Sequence, residues 1–224
     1  MDSDFYKYGI ESGSDKITHH GYHRFYPSYL KPNIKKILEI GIENMYSVTI
    51  WKKMYPSAFI YGFDINFDYV SDNIRIIRGD QSNTNDIDNL VNIIGNDVDF
   101  ILDDGSHVPE HQIYSFIKLF PQLINGGVYI IEDIETSYLI NKHIYKYQLN
   151  YGFKSNLNLV NVFHKVLHLL NREFILRELN EITTMIPLEI IDSISTITFG
   201  QNCIIIKKKE EYEYAYNNRT YRFA

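Results

Sequence analysis

The sequence of 224 residues holds a single cysteine, Cys203, which excludes an internal disulfide and suits a reducing compartment. It has no run of about twenty apolar residues and no apolar N-terminal h-region, so neither a membrane-spanning helix nor a secretory leader is expected. A cytoplasmic chain without a membrane partner is the expectation. Basic charge is also short: 22 Lys and Arg against 28 Asp and Glu leave a formal charge of −6. Nucleic-acid binding draws its affinity mainly from cations on phosphates, so this balance argues against that class and favours a small cationic or metal-assisted ligand. Internal repeats, low-complexity linkers and a second domain boundary are absent too, and 45% hydrophobic residues suffice to fill one sizeable core. A homo-oligomer is neither required nor excluded. The 19 tyrosines, with many Ile, Asn and Lys, are what AT-rich coding produces and carry no functional weight.

The apolar pattern sets the organisation. Residues 1–33 are polar and aromatic without a clean period and read as a leading arm with a short helix. From there KKILEIG (35–41), AFIYGFDI (58–65), NIRIIRGD (73–80), VDFILDD (98–104) and GVYIIED (127–133) are Ile-, Val- and Phe-rich runs of strand length. Between them, residues 47–56, 85–95 and 111–124 space their apolar side chains by three or four, as helices do. This alternation predicts an α/β fold with a parallel sheet covered on both faces and right-handed crossovers. Residues 156–179 read as a further helix. ISTITFG (194–200) and NCIIIKKK (202–209) are so closely linked that they must form an antiparallel hairpin at the sheet edge. The expected division is a single domain over 1–224, with the arm at 1–33, the core at 34–209 and a charged, aromatic, solvated tail at 210–224.

Ligands of open α/β sheets sit beyond the carboxyl ends of the strands, and here those ends are acidic. Glu39 and Gly41 close the first strand, Asp64 the second, Asp80 the third, Asp103 and Asp104 the fourth, and Glu132 and Asp133 the fifth. Any one of these acids alone reads as a helix cap. Doubled acids at two neighbouring strands exceed what capping requires. Asp64 follows Gly41 at the spacing of an acid that binds ribose hydroxyls, yet the turn GIENMY lacks the glycines of a pyrophosphate loop. That disfavours NAD and FAD and leaves a nucleoside cofactor without phosphates, such as S-adenosylmethionine. Asp104 and the Glu132–Asp133 pair should converge, and carboxylates that close require a cation or protons. Three oxygen ligands match Mg²⁺, and His107, one turn on, is suited to take a proton at neutral pH. His111 reads as a supporting or structural residue. His19, His20 and His23 could suggest zinc, but without a cysteine partner that reading is weak.

The motifs LEIG (38–41), WKKMYP (51–56), GFDI (62–65), RGDQS (78–82), DDGSH (103–107) followed by His111, LFPQL (119–123), GGVYIIEDIETSY (126–138) and TITFGQNCIII (196–206) occur in a telling order. That order resembles class I S-adenosylmethionine-dependent methyltransferases of the macrolide-sugar type, in particular the catalytic domain of the mycinamicin and macrocin O-methyltransferases. GSDKITHHGYHRFY (13–26) is similar to the family's N-terminal lead. The resemblance implies a Rossmann-like, doubly wound, mostly parallel seven-stranded sheet with an antiparallel C-terminal hairpin strand. It implies a Mg²⁺-dependent O-methyltransferase acting on a sugar hydroxyl, free, nucleotide-linked or in a glycan or glycoside. The metal would lie on Asp104, Glu132 and Asp133, the general base would be His107, and the cofactor would contact Glu39, Gly41, Ser47, Asp64, Asp80, Gln81 and Asp103. One departure is Met45-Tyr46-Ser47 where relatives commonly have Gly-Gly-Ser, which implies weaker cofactor binding or a loop on another path. Two rival readings stand beside this one: a catechol-like phenolic O-methyltransferase, and a degenerate methyltransferase fold serving as a binding scaffold. The acceptor pocket is expected from residues 134–160 and the arm.

Overall fold

The computed structural model of the protein describes residues 2–140, 143–174, 182 and 184–217. Its centre is a sheet of ten-residue to three-residue strands: β1 (Lys36–Ile40), β2 (Phe59–Asp64), β3 (Tyr69–Ser71), β4 (Ile74–Arg78), β5 (Val98–Asp103), β6 (Leu123–Glu132), β9 (Ile194–Gly200) and β10 (Cys203–Lys208). A separate two-stranded hairpin holds β7 (His143–Ile144) and β8 (Tyr147–Gln148). The large sheet runs β3-β4-β2-β1-β5-β6-β10-β9. Strands β4, β2, β1, β5 and β6 are parallel, while β10, β9 and β3 pair antiparallel. The expected mostly parallel sheet with its C-terminal hairpin is present. It has eight strands instead of seven, because the short β3 pairs outside β4.

Alternation along the strands sorts side chains into two cores. Leu38, Ile40, Ile101, Tyr129 and Ile131 face helices α4 (Thr84–Ile94), α5 (Pro109–Leu119) and α6 (Leu159–Leu170). Ile37, Phe100, Leu102, Ile130 and Ile205 face α1 (Asp2–Ser12), α3 (Tyr46–Met54) and the aromatic arm. The helices have identifiable starts and stops. Asn83 caps α4 by accepting from the Asn85 amide at 3.0 Å, Ile87, Leu90 and Ile94 form its buried stripe, and Gly95 at φ 72° ends it. Pro109 opens α5, and Asn158 caps α6 through the Asn161 amide at 2.8 Å. The predicted helix over 111–124 ends earlier, since a 3-10 turn at Phe120–Gln122 leads into β6 at Leu123. The helix expected at 156–179 is observed over Leu159–Leu170 with a 3-10 turn at Arg172–Phe174; residues 175–179 lie outside the described ones.

The arm differs from a loose lead. Phe5, Tyr22 and Tyr26 are fully buried, and Trp51 of α3 stacks on Phe5 at 5.6 Å. Burying an aromatic of that size contributes about 1.5–3 kcal/mol, so the arm is a structural wall of the second core. Beyond β10, Glu210 and Glu213 form a capping box on a 3-10 helix at Glu211–Tyr216, with Tyr212 and Tyr216 exposed. The rest of the expected tail lies outside the described residues. Among the described residues no helix is long and apolar enough to cross a membrane.

Candidate active site

The strand order reverses between β1 and β5, and a cleft of about 900 Å³ opens beyond the carboxyl ends there. Gly41, Ser47, Asp64, Asp80, Gln81, Asp104, His107 and Asp133 line it. Gly41 has φ 81°, and a Cβ on it would lie 2.0 Å from the Asp104 carbonyl oxygen, so this glycine lets the β1 turn pass against the end of β5. The departure at Met45-Tyr46 is absorbed by the same turn. Glu43 and Met45 take left-handed φ values of 49° and 61°, Met45 packs against the arm-side core, and Tyr46 stands half-exposed on the cleft wall. Asp64 anchors the turn by accepting from the amides of Ile42 (2.9 Å), Glu43 (3.1 Å) and Asn66 (2.7 Å).

Glu39, Asp103 and Glu132 belong to the strands themselves, and alternation turns them away from the crevice. Glu39 and Asp103 are fully buried and Glu132 is 1% exposed. Asp103 faces the α5 side, where Gln81 Nε2 donates to both its oxygens (2.8 and 3.0 Å) and the Tyr129 hydroxyl lies 3.3 Å away. Gln81 Oε1 in turn accepts from the Ser106 amide, tying the third strand end to the fourth. Glu39 and Glu132 face the arm. Trp51 Nε1 donates to Glu39 at 2.8 Å, and the Tyr26 hydroxyl donates to Glu132 Oε1. Asp80 faces the cleft, but the Tyr147 hydroxyl (2.7 Å), Ser82 and Lys146 engage it, so it fastens the β7–β8 hairpin across the mouth. Burial alone would raise the Asp80 pKa; the hydroxyls of Ser82 and Tyr147 outweigh it and bring it to about 2.

A residue that pattern reading passed over sits at the centre of the acids. Lys16 from α2 (Asp15–Thr18) is 2% exposed, and its Nζ donates to Asp104 Oδ2 and to Glu132 Oε2 (2.7 Å) and lies 3.5 Å from Glu39 Oε1. Burial works against its charge, but Asp104, Glu132 and Glu39 outweigh that and hold the Lys16 pKa well above lysine's ordinary value. Two further supports were also unanticipated. Asp133, at φ 53°, accepts from the Tyr22 hydroxyl (2.6 Å) and from Asn202 Nδ2 (2.9 Å). Asn202 occupies the left-handed position of the β9–β10 turn, a conformation Asn tolerates well, which is the signal that could have marked it. His20 of the HHGYH run stacks on Tyr22 at 5.2 Å and puts Nδ1 3.2 Å from Asp133.

His107 places Nε2 3.7 Å from Asp133 Oδ2, while its Nδ1 is buried without a hydrogen-bond partner. Ligand atoms of Asp104, His107 and Asp133 lie within 4.8 Å of one another, the group among the described residues that could hold a metal ion. Of the three expected ligands, Glu132 stands outside this group, behind Lys16. Among the described residues, His19, His20 and His23 do not form a group that could hold a metal ion. His111 hydrogen-bonds Ser106 at 2.9 Å and meets the Tyr147 ring edge-on, a supporting place as expected.

Asp103 makes a pH prediction. Burial raises its pKa to about 7, against the Gln81 hydrogen bonds and the charge of His107. An unfolded Asp ionises near ~3.9, so between the two values the unfolded chain has lost a proton the folded chain keeps, and stability falls as pH rises through that window. Asp103→Asn cannot ionise and can still accept from Gln81. Its stability relative to the wild type should improve by about 2–3 kcal/mol between pH 5 and pH 8, measured by urea unfolding. A gap that does not change with pH would contradict the assignment.

No family model matches the chain. It is 31% identical over 141 residues to the 8-demethyl-8-alpha-L-rhamnosyl tetracenomycin-C 2'-O-methyltransferase of Streptomyces olivaceus, covering 58% of this chain and 37% of that protein. It is 36% identical over 126 residues to the mycinamicin VI 2''-O-methyltransferase of Micromonospora griseorubida, covering 52% and 31%. The chain thus spans about a third of the length of these curated relatives. The MycE methyltransferase from the mycinamycin biosynthetic pathway, solved in complex with Mg, SAH and mycinamycin VI, superposes with a TM-score of 0.76 at 23% identity, over 92% of this chain and 54% of that one. The chain carries the Rossmann-like methyltransferase fold, and over its matched part its sequence is similar to the O-methyltransferases of macrolide and tetracenomycin sugars.

Proposed function

We propose that the protein is an S-adenosylmethionine-dependent, Mg²⁺-dependent O-methyltransferase acting on a sugar hydroxyl in the cytoplasm. The observation that carries this reading is the convergence of Asp104, Asp133 and His107 on one rim of the 900 Å³ cleft. The relatives' names place their methyl groups on sugars, which supports a sugar acceptor. The cleft suits a cofactor and an acceptor side by side. Gly41, Ser47, Asp64 and Gln81 line it at the strand ends, and the hairpin residues His143 to Tyr147 line it from the 134–160 stretch expected to build the acceptor pocket. Asp64 spends three of about four carboxylate acceptor positions on backbone amides, leaving one for a ribose hydroxyl.

The donor set fits a hard divalent ion. Asp104 and Asp133 offer oxygens at the rim, burial pushes the Cys203 thiol beside Glu132 up to about 12 so that it offers no thiolate, and Mg²⁺ prefers oxygen over imidazole, which leaves His107 to act as a base. When bound, the ion would supply the positive charge that eases ionisation of an acceptor hydroxyl, and S-adenosylmethionine the electrophilic methyl group. The chain's own work is positional. His107 Nε2, the nitrogen not sealed in the protein, takes the hydroxyl proton, and Asp133 Oδ2 stabilises the resulting imidazolium. Tyr22 and Asn202 fix Asp133 for that task, and the latched hairpin keeps bulk water from the methyl-transfer line.

Titration calorimetry with S-adenosylhomocysteine tests the reading. Saturable binding is expected, and Asp64→Asn, which keeps an oxygen for the turn amides, should weaken it at least about tenfold, the value of one charge-assisted hydrogen bond. Absence of any binding at millimolar concentration would favour a binding scaffold of methyltransferase fold instead.

A further inference from the structure

The methyl-transfer cleft has a smaller neighbour with no part in the mechanism above. A recess of about 480 Å³ lies where the arm, the 3-10 turn at Ile134–Tyr138 and the β9–β10 turn meet, within the size range of small-ligand pockets. His20 and Glu135 line both hollows, and His20 Nδ1 lies 3.2 Å from Asp133. The recess therefore begins one side chain away from the rim. Its frame is firm. His20 ends a stacked column, 5.2 Å from Tyr22, which is 5.3 Å from Tyr26, and Asn202 Oδ1 accepts from the Glu135 amide at 2.9 Å.

The walls suit a hydroxyl-rich, uncharged ligand. Gln201 accepts from Arg24 through Oε1 at 3.0 Å, which leaves both Nε2 protons for a ligand. Tyr138 is 56% exposed and offers a ring face beside a hydroxyl, the pairing that matches a sugar's C–H face and its hydroxyl edge. His19 adds a ring nitrogen and Glu135 a carboxylate, both exposed. A diphosphate meets the opposite of what it needs. Among the described residues no lysine or arginine lines the recess, Arg24 is already turned to the Gly21 carbonyl and Gln201, and Glu135 would repel an anion. An apolar aglycone fares little better, because Ile134, the aliphatic residue of the wall, is only 3% exposed. We infer that the recess is a subsite for a second, uncharged sugar, so that the ring methylated at the rim is one unit of a neutral oligosaccharide and not a nucleotide-linked sugar. This inference rests on the sugar O-methyltransferase reading given above and narrows its acceptor.

The test is ligand-observed NMR on the full chain with S-adenosylhomocysteine, using methyl glycosides of single hexoses and 6-deoxyhexoses, the corresponding disaccharides, and nucleoside-diphosphate sugars. Disaccharides should bind at least about tenfold tighter than the matching single rings, the gain from one or two hydrogen bonds and a ring contact. Saturation transfer should reach the protons of both rings. Gln201→Ala should cut that advantage to about threefold or less while leaving single-ring affinity as in the wild type, and Tyr138→Ala should cut the advantage likewise. Both side chains are exposed, so neither replacement threatens the fold. Equal affinity for one and two rings, no sugar binding at all, a preference for nucleoside-diphosphate sugars, or variants that keep the full advantage would each overturn the inference. S-adenosylhomocysteine binding separates the two failures. If it persists, the methyltransferase reading stands without the subsite; if it is absent, both fall.

Discussion

Replacing His107 with alanine is expected to slow methyl transfer by about a hundredfold to ten-thousandfold, the usual contribution of a positioned general base, while S-adenosylhomocysteine binding stays intact. The expectation rests on geometry. His107 stands at the rim with Nε2 facing Asp133 Oδ2 at 3.7 Å, and its other nitrogen is sealed inside. Alanine offers no ring nitrogen to accept the hydroxyl proton, so the loss should fall on the transfer step and not on cofactor binding. The measurement is transfer of radiolabelled methyl groups to a glycoside with neighbouring hydroxyls. Wild-type turnover in the variant would return His107 to a residue that merely begins the segment leading into α5.

Excess EDTA is expected to abolish the same transfer and added Mg²⁺ to restore it. Asp133→Asn should raise the Mg²⁺ concentration needed by roughly a hundredfold or more, because a carboxylate a few ångströms from a cation is worth several kcal/mol even at an effective dielectric constant of about 20. The variant keeps the shape that Tyr22 and Asn202 hold in place, so the change reports charge and not collapse. Full turnover in EDTA would remove the metal from the reaction and leave Asp133 as a partner of His107, His20, Tyr22 and Asn202.

Much of this arrangement could be read from residue patterns, and the parts that could not share a physical reason. Strands β1, β5 and β6 announce themselves because both of their faces are buried, which forces nearly continuous apolar runs. Strand β4, with exposed Arg75 and Arg78, shows itself through Ile74, Ile76 and Ile77. Acids at their ends were equally visible, but not the direction in which each points. Glu39 follows Ile37 by two residues and Glu132 follows Ile130 by two, so strict alternation already places both on the arm side. Asp104 and Asp133 lie one residue past their strands, where alternation no longer applies and the chain can turn them to the cleft. Strands β3, β7 and β8 are two or three residues long, too short for a period to show. Lys16 was the least legible. It sits in a polar stretch, and what buries it is a set of partners 88 and 116 residues away, whose nearness is a property of the sheet and not of its own neighbourhood in the chain.

The arm's attachments also bear on when the site comes into being. Lys16 reaches Glu132, and the Tyr22 hydroxyl reaches the carbonyl of Asn202 across 180 positions. Contacts of such sequence separation close late, because the entropy of the large loop must be overcome before they give anything back. During synthesis the arm leaves the ribosome before the partners that hold it. A nascent chain can therefore complete β1, β2 and β4 without gathering its acids. Asp133 gains the support of Asn202, and Tyr22 its second partner there, only when the β9–β10 hairpin has entered the sheet, which ties the shape of the rim to a late step of folding.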